Sequence, residues 1–465
     1  MTARTPVRIA MVGTFDLENL GDLLFAYVAH HELSARLSDV EIELFSYRAL
    51  DPPSWPLKVR AVHTLAQRLG EFDLLIVGGG HVVRGDEDVA PGYAPTHATT
   101  PHPYGLWMVP TILAAGAGVP VAWNAIGAID SVDATFEPLV AAALGGVTYL
   151  AVRDLPSARF VRAHQPRAEP VVVPDTVFGI ARLLGGPASD EASGVLRAHG
   201  VDGGYVVVQP AAHLEPCRAA VEAICATAAA RGLAVVELPC GPCHHDTAGR
   251  LGLSAPTVAI REWPEPLVVA ELLAGAQAVV ASSLHAGIVA TSAGVPLFRP
   301  RAEHDSKYEL VDLLPGVVRL PADDEAEEVA TDFHRGAPSS QALGHAAALQ
   351  PHWDEMARLA TRPGRRSPSP TVVELIETLP QLLVDRQRSA AAELERVAAA
   401  HDVERWRDAE ARAAIADELA VERDRSAHLA RVLRRRSVRA ALLFDEMIAR
   451  MRRSPAPQGD DASGR

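Results

Sequence analysis

The chain has 465 residues, enough for about two to four domains at the usual 100–200 residues each. Its composition, 48% hydrophobic and 22% charged, supports sizeable cores and excludes wholesale disorder. With 44 basic and 58 acidic residues the net charge is −14, which argues against a general binder of nucleic acid or anionic membranes. A ligand that carries phosphate therefore needs a local positive site.

The beginning of the chain, MTARTPVRIAMVG, predicts a strand without a secretion signal, and four cysteines are too few for a disulfide scaffold. Two stretches without Asp, Glu, Lys or Arg, 89–129 and 278–298, are broken by glycine, proline and polar residues. Such breaks are typical of strand–turn–helix units and not of membrane spans. We expect a cytoplasmic protein with no transmembrane segment.

Short apolar runs alternate with helical patterns along the first half of the chain. This alternation is typical of parallel sheets covered by helices. The pattern predicts strands near 7–13, 72–77, 119–124, 148–152 and 171–173, with helices over 22–37 and 107–115.

A glycine- and proline-containing joint at 185–189 precedes a second alternating unit. Its predicted strands lie at 205–209, 234–238 and 278–282, and it ends in a helical pattern over 372–379. We therefore expect two α/β domains, 1–186 and 187–384, that face a cleft. Ligands in such sheets bind beyond the carboxyl ends of the strands.

The segment 385–453 is rich in Ala, Arg, Glu, Asp and Leu and holds no glycine or proline, which predicts a long helix before a disordered end at 454–465. Its apolar positions do not keep a clean heptad register, so a coiled coil and a solvated or partner-dependent helix both remain open. The helix is a candidate for self-association or for contact with a partner protein. Its basic end, 434–439, is a candidate for contact with acidic lipid at the inner face of the membrane.

Two glycine-containing segments follow predicted strands of the first domain. Asn19-Leu-Gly21-Asp22 lies where free backbone N–H groups and the helix dipole form an anion site, although Asp22 as a helix cap explains the same residues. The strand 72–77 opens into three glycines at 78–80, of which Gly79 and Gly80 allow either a ligand or a neighbouring backbone to approach closely.

In the second domain, Ser282-Ser283-Leu-His285 follows a strand and opens a helix. Two hydroxyls and an imidazole at such a turn are suited to bind an anion and to supply a proton, although a structural histidine is the alternative. Lys307 is one of only two lysines in the chain. It is either a point charge for phosphate or an ordinary surface lysine.

The loop Cys240-Gly-Pro-Cys243-His-His-Asp246 has the spacing of a redox pair, of a haem-attachment site and of half a zinc site. Haem attachment requires export, and a redox pair of this kind follows the first strand of a much shorter chain. Zinc would need Cys217 and Cys225 as further ligands. A plain loop is the favoured interpretation, and we expect no metal.

These segments in this order resemble the polysaccharide pyruvyl transferase family over roughly residues 7–320. The resemblance rests on the Asn-Leu-Gly-Asp loop, the strand with three glycines, Val152-Arg153-Asp154 with Ser157, Pro174-Asp175, Ser282 to His285 with Gly294-Val-Pro296, and the Lys307 loop. It implies two Rossmann-like domains arranged as in the GT-B glycosyltransferases. It also implies transfer of a pyruvyl ketal from phosphoenolpyruvate to two hydroxyls of a cell-surface polysaccharide precursor, with no cofactor.

Site roles follow from the resemblance residue by residue. His285 is the candidate acid, Asp22 or Asp175 the candidate base, and Arg153 and Lys307 the candidate partners of the donor's anionic groups. The family's Arg-Leu-His signature has Ser283 at its arginine position, and this departure affects the donor. A nucleotide-sugar glycosyltransferase is therefore one alternative. The other is a non-catalytic sugar-binding or scaffold protein in which the C-terminal helix recruits an envelope-biosynthesis enzyme. The remaining predicted substrate-binding residues are Asn19, Gly21, Gly79, Gly80, Ser282 and Ser283.

Overall fold

A computed structural model describes most of the chain up to residue 362 and parts of the tail. The described residues are 6–83, 104–128, 132, 137–184, 189–301, 308–323, 333, 336–337, 339–362, 388, 392, 396, 419–428 and 431. The chain divides into two compact units, 1–380 and 381–465. Among the described residues, every helix is too short or too polar to cross a bilayer.

The first sheet is entirely parallel, and its strand order is β3-β2-β1-β4-β6-β7-β8, with β5 paired to β6. The order reverses between β1 and β4, so the loops after these two strands diverge and leave a crevice. The strands are β1 (Val7–Val12), β2 (Val40–Ser46), β3 (Val59–Ala61), β4 (Leu74–Val77), β5 (Gly80–Val83), β6 (Val121–Ala128), β7 (Tyr149–Val152) and β8 (Val171–Val172).

The second sheet is also parallel and has the order β11-β10-β9-β12-β13-β14, which is the 3-2-1-4-5-6 order of dinucleotide-binding folds. Its order reverses between β9 and β12. The strands are β9 (Tyr205–Val208), β10 (Ala234–Glu237), β11 (Thr257–Ala259), β12 (Ala278–Val280), β13 (Leu297–Pro300) and β14 (Val317–Leu320).

Helices connect the strands and cover both faces of each sheet, as right-handed parallel connections require. The described α-helices are α1 (Leu20–Ser34), α2 (Leu65–Arg68), α3 (Tyr104–Gly116), α4 (Glu137–Gly146), α5 (Leu155–His164), α6 (Ile180–Leu183), α7 (Asp190–Ala198), α8 (Arg218–Ala230), α9 (Pro266–Gly275), α10 (Leu284–Ser292), α11 (Glu309–Asp312), α12 (Ser340–Ala348) and α13 (Gln350–Ala360).

The apolar core follows the alternation of side chains along the strands. In β1, Ile9 and Met11 face one core cluster, and Ala10 and Val12 face the other. The cluster that contains Ile9 continues through α1 into the second sheet, so one apolar core joins the two lobes. Helix α1 contacts α9 and α10 of the second lobe, and its Phe25 is fully buried. Burial of one such side chain contributes about 1.5–3 kcal/mol.

Helix α13 follows the second sheet in the chain but packs on the first, where it contacts β1, β7 and α1. Trp353 is fully buried in the shared core. The neighbouring His352 bonds the Asn124 side chain at 3.0 Å and the Tyr149 hydroxyl at 3.1 Å. The predicted second domain, 187–384, contains α13, but the packing of this helix on the first sheet was not predicted.

The predicted fold class, a parallel α/β fold with two sheets followed by a helical tail, is confirmed, and most predicted strands agree within about three residues. One correction concerns α1, which begins at Leu20 with Asn19 as its cap, and not at Asp22. The predicted helix at 372–379 and the end at 454–465 lie outside the described residues. The described residues of the tail, 388, 392, 396, 419–428 and 431, are helical. A coiled coil in the tail stays a prediction.

Candidate active site

A cavity of about 330 Å³ lies between the lobes, at the carboxyl ends of β1, β9 and β12, where both strand orders reverse. Its volume is at the small end of the range for small-molecule sites, about 300–1,000 Å³. The described residues that line it are Thr14, Leu17, Asn19, Asp22, Gly80, His81, Arg153, Gln209, Ala211, Ala212, His213, Cys240, Gly241, His244, Asp246, Ser282, Ser283, Leu284, His285 and Tyr308.

The His285 imidazole packs directly on the backbone of Gly21. A Cβ atom at Gly21 would lie 1.7 Å from His285 Nδ1, a distance that no side chain can adopt. Phe25, one turn further along α1, presents an edge-to-face contact to the same imidazole at a centroid distance of 5.2 Å. Glycine at position 21 is therefore what allows the first helix of one lobe to hold the histidine of the other.

Arg153 and His285 converge on the carboxylate of Asp175. Asp175 Oδ2 lies 3.6 Å from His285 Nε2 and 4.0 Å from Arg153 Nη1, and Oδ1 accepts a hydrogen bond from the backbone N–H of Val177 at 3.0 Å. His285 Nε2 is inaccessible to solvent, and Nδ1 is the ring atom nearest to Gly21. The three side chains form one cluster with contributions from both lobes.

The Arg153 guanidinium is 5% exposed, yet it lines the cavity. Its Nε lies 3.5 Å from Asp154 Oδ2, and neither Nε nor Nη2 donates a hydrogen bond to any described residue. Gly127 is required beside it, because a Cβ there would lie 2.6 Å from Nε. Gly127 is placed by an irregularity in β6, where Ala125 has a φ of 50° and the register to β7 shifts. Buried donors without an acceptor next to a cavity are suited to an anion.

The two candidate bases differ in electrostatics. Burial alone would raise the pKa of Asp175, but His285 and Arg153 outweigh it and hold the pKa below its ordinary value. Asp22 is partly buried at the cavity wall, and burial raises its pKa against the opposing effects of Thr14, His285 and His244. Asp175 is therefore a fixed negative charge, whereas Asp22 is the carboxylate better suited to accept a proton.

A hydrogen-bond network fixes the second-lobe side of the cavity. Gln209 Oε1 accepts from the backbone N–H groups of Ser282 at 3.0 Å and of Ser283 at 2.9 Å. Gln209 Nε2 donates to Asp246 Oδ2 at 2.6 Å. Asp246 Oδ2 also accepts from the N–H groups of Cys240 and Gly241. Three loops, those after β9, β10 and β12, are thereby joined through two side chains.

The loop after β10 also contacts the first lobe. The Leu20 N–H donates to the Cys240 carbonyl at 2.9 Å, and Asn19 Nδ2 lies 3.2 Å from His244 Nε2. Burial raises the pKa of the Cys240 thiol well above its ordinary value and that of the Cys243 thiol to about 12. Reactive cysteines have the opposite shift, so a redox pair is not supported.

The zinc alternative has no support either. Cys217 and Cys225 belong to the core on one face of the second sheet, and Cys240 belongs to the core on the other. Within the described ranges no three histidine, cysteine or acidic residues form a group that could hold a metal ion.

Most of the predicted site residues meet at the cavity. Asn19, Asp22, Gly80, Arg153, Ser282, Ser283 and His285 line it. Gly21 and Asp175 support His285 from its sides. Gly79 is not among the lining residues, because its Cα faces the Phe25 ring, where a Cβ would lie 2.3 Å from the nearest carbon. Lys307 lies outside the described residues, and Tyr308, the next residue, lines the cavity.

Several site residues had not been predicted from the sequence. Gln209 and His213 lie after β9, His81 belongs to β5, and Tyr308 bonds the Ser282 carbonyl at 2.9 Å. For Gln209 a signal existed, because it ends the first strand of the second domain, next to the strand-order reversal. Asp246 had been noted as a residue of the Cys240 loop, and the structure places its carboxylate in the network with Gln209.

Two parallel sheets with their strand-order reversals at one cavity define a two-lobed α/β protein with a ligand-binding crevice between the lobes. The chain belongs to the polysaccharide pyruvyl transferase family, whose model matches residues 19–299, more than half of its length. This is a family of transferases that modify polysaccharides. No curated protein matches the chain.

Solved structures resemble the chain at low identity. A Staphylococcus aureus MnaA–UDP complex is 11% identical with a TM-score of 0.43, covering 81% of this chain and 96% of its own. The UDP-GlcNAc 2-epimerase of Methanocaldococcus jannaschii is 10% identical with a TM-score of 0.44, covering 80% and 99%. The Escherichia coli ADP-heptose heptosyltransferase II is 10% identical with a TM-score of 0.36, covering 75% and 99%. The family assignment rests on the match over residues 19–299 and not on these structures.

Proposed function

We propose that the protein transfers a pyruvyl group from phosphoenolpyruvate to two hydroxyls of a saccharide, forms a ketal and releases phosphate. The observation that carries this proposal is the buried Arg153 guanidinium, whose Nε and Nη2 donate no hydrogen bond to any described residue and which lines the cavity with His285. Phosphoenolpyruvate carries a carboxylate and a phosphate, and an arginine matches either group with paired hydrogen bonds.

This transfer requires an acid that can protonate the methylene carbon of phosphoenolpyruvate. Protonation of the methylene carbon of phosphoenolpyruvate makes its C2 cationic, and the first sugar hydroxyl adds there and gives up its proton. The second hydroxyl then displaces phosphate from C2. The products are a pyruvyl ketal, whose central carbon carries a methyl group and a carboxylate, and inorganic phosphate. His285 is the proposed acid, because its imidazole lines the cavity and shares the Asp175 carboxylate with Arg153.

Asp22 is the proposed base for the sugar hydroxyl, and Asp175 is assigned to orientation. Asp22 lines the cavity and has a raised pKa, whereas Asp175 is 3% exposed and is held between Arg153 and His285. Lys307 is proposed as a second cation for the donor, because it directly precedes Tyr308 in the sequence and Tyr308 lines the cavity. The proposed acceptor is a cell-surface polysaccharide precursor met in the cytoplasm.

Thermal unfolding with added ligand tests the donor. A ligand at 100 times its Kd stabilises the folded state by about 2.7 kcal/mol, which raises Tm by several degrees. We expect phosphoenolpyruvate to raise the Tm of the wild-type protein and of R159M, in which an exposed arginine of α5 is replaced. We expect no such rise for R153M. An equal rise in Tm for R153M would show that Arg153 does not bind the donor.

A second candidate is a transferase that uses a nucleotide sugar, which is favoured by Ser283 at the family's arginine position. Its signature is a rise in Tm with a nucleoside diphosphate and none with phosphoenolpyruvate. No rise with either ligand would support the third alternative, a sugar-binding or scaffold protein without catalysis.

A further inference from the structure

Gln209 connects the catalytic side of the second lobe to its sheet. It follows β9 directly, is 4% exposed, and its backbone N–H bonds the Val280 carbonyl of β12 at 2.8 Å. Its side-chain oxygen accepts both N–H groups of the turn that leads into α10, those of Ser282 and Ser283. His285 is two residues further on. One amide therefore links a central strand to the turn before the candidate acid.

The orientation of this amide is fixed by its other neighbour. Asp246 Oδ2 already accepts two backbone N–H groups, so it can only be paired with the NH₂ end of Gln209. The oxygen end must then face the serine turn. Burial raises the pKa of Asp246, and the donated hydrogen bonds oppose that shift.

The first turn of α10 does not need Gln209 as a cap. The Ser283 hydroxyl accepts the N–H of Ala286 at 3.3 Å and fulfils that role itself. The Gln209 amide thus sets where the turn lies with respect to the sheet, and not whether the helix forms.

From this geometry we propose that Gln209 is a positioning residue for His285, a statement that rests on the proposed function for its catalytic meaning. It holds the serine turn so that the imidazole seats between Gly21 and Asp175. It also occupies the N–H groups of Ser282 and Ser283, so these two groups do not bind the donor's phosphate. The anion is then held chiefly from the first lobe by Arg153.

Two substitutions at Gln209 and one control separate positioning from folding. Q209L keeps the size but removes both hydrogen-bonding ends. Q209E keeps the acceptor for the serine turn but faces Asp246 with a second carboxylate. The control is Q165L, because the Gln165 amide donates to the Ala141 carbonyl in the first lobe, away from the cavity.

Phosphate release from phosphoenolpyruvate with a saccharide acceptor gives the kinetic result. A displacement of about 1 Å can reduce catalysis about 100-fold. We expect kcat of Q209L to fall by about that factor while KM for phosphoenolpyruvate changes less than about threefold, and Q165L to behave as wild type. Q209E should recover as the pH falls from about 8 to about 5.5, because its protonated carboxyl donates to Asp246 as the amide does. Q209L should not recover. If kcat of Q209L stays within about twofold of wild type, the positioning role is wrong.

Amide hydrogen exchange tests the same inference without turnover. In Q209L the N–H groups of Ser282 and Ser283 lose their acceptor, so their exchange should rise about tenfold or more, with no change in Q165L. Unchanged exchange would overturn the inference even in an active enzyme. Absence of phosphate release by the wild-type protein would refute the proposed function instead and leave the exchange result to decide the role of Gln209.

Discussion

The contact between Gly21 and His285 makes G21A the sharpest perturbation of the site. The added methyl would lie 1.7 Å from Nδ1 and 2.4 Å from Cγ and Cε1 of the imidazole. Carbon and nitrogen atoms approach to about 3.5 Å without strain. The ring and the start of α1 must therefore separate by more than about 1 Å, which displaces the imidazole from its position beside Asp175 and the cavity.

The expected effect on stability is smaller than the effect on activity. Overpacking costs about 1–3 kcal/mol, and alanine in place of glycine in a helix returns up to about 1 kcal/mol. We expect a net loss of about 0–3 kcal/mol in the free energy of unfolding. Phosphate release should fall about 100-fold, because the acid is displaced by about 1 Å.

Urea unfolding and phosphate release, measured on the same preparations, check this prediction. G344A in α12 is the matched control, since no described atom lies within 4 Å of the position that its Cβ would occupy. That variant should be slightly more stable than wild type and equally active. If G21A keeps more than about a third of wild-type activity, the inferred role of the contact between Gly21 and His285 is wrong.

Three further predictions concern groups whose surroundings the structure defines. Burial, reinforced by Arg36, lowers the pKa of His352 to about 3. Because the unfolded chain takes up a proton near pH 6.5 that the folded protein excludes, stability is full above that pH and falls below it. Between pH 7 and pH 5, urea unfolding should show a loss about 2 kcal/mol larger for wild type than for H352Q. G127A should weaken phosphoenolpyruvate binding about tenfold by calorimetry, because its methyl would lie 2.6 Å from Arg153 Nε; unchanged affinity would contradict the assigned anion site. The raised pKa values of Cys240 and Cys243 predict that neither thiol reacts with iodoacetamide near pH 8 until the protein unfolds, which mass spectrometry of the labelled peptides can check.

The architecture was predictable because parallel sheets leave a strong trace in sequence. Buried central strands such as β4 and β9 are continuous apolar runs, and these were identified. Strand β2 was missed because its glutamates break the pattern. Glu43 is nonetheless held in place, since hydrogen bonds from Arg68, which outweigh burial, with help from Arg60 and Arg8, lower its pKa to about 2. A strand whose charged side chains are paired with residues of neighbouring elements has, in the sequence, the same polar pattern as a loop.

The site was predictable by its motifs but not by its contacts. Gly21 and His285 could each be named, yet no local pattern shows that one packs on the other from a different lobe. The bond between Gln209 and Asp246 spans 37 positions and involves residue types common in loops. The return of α13 to the first sheet was also invisible, because an amphipathic helix does not specify the sheet that it covers.

Binding of one small anion between the lobes by Arg153 and His285 can be observed in a crystal structure of the protein with phosphoenolpyruvate bound. We expect a carboxylate or phosphate oxygen to accept hydrogen bonds from Arg153 Nε and Nη2, with the methylene carbon facing the His285 imidazole. Density for the donor at another place, with the Arg153 guanidinium still turned to Asp175 and no ligand beside it, would show that these two residues do not form the donor site.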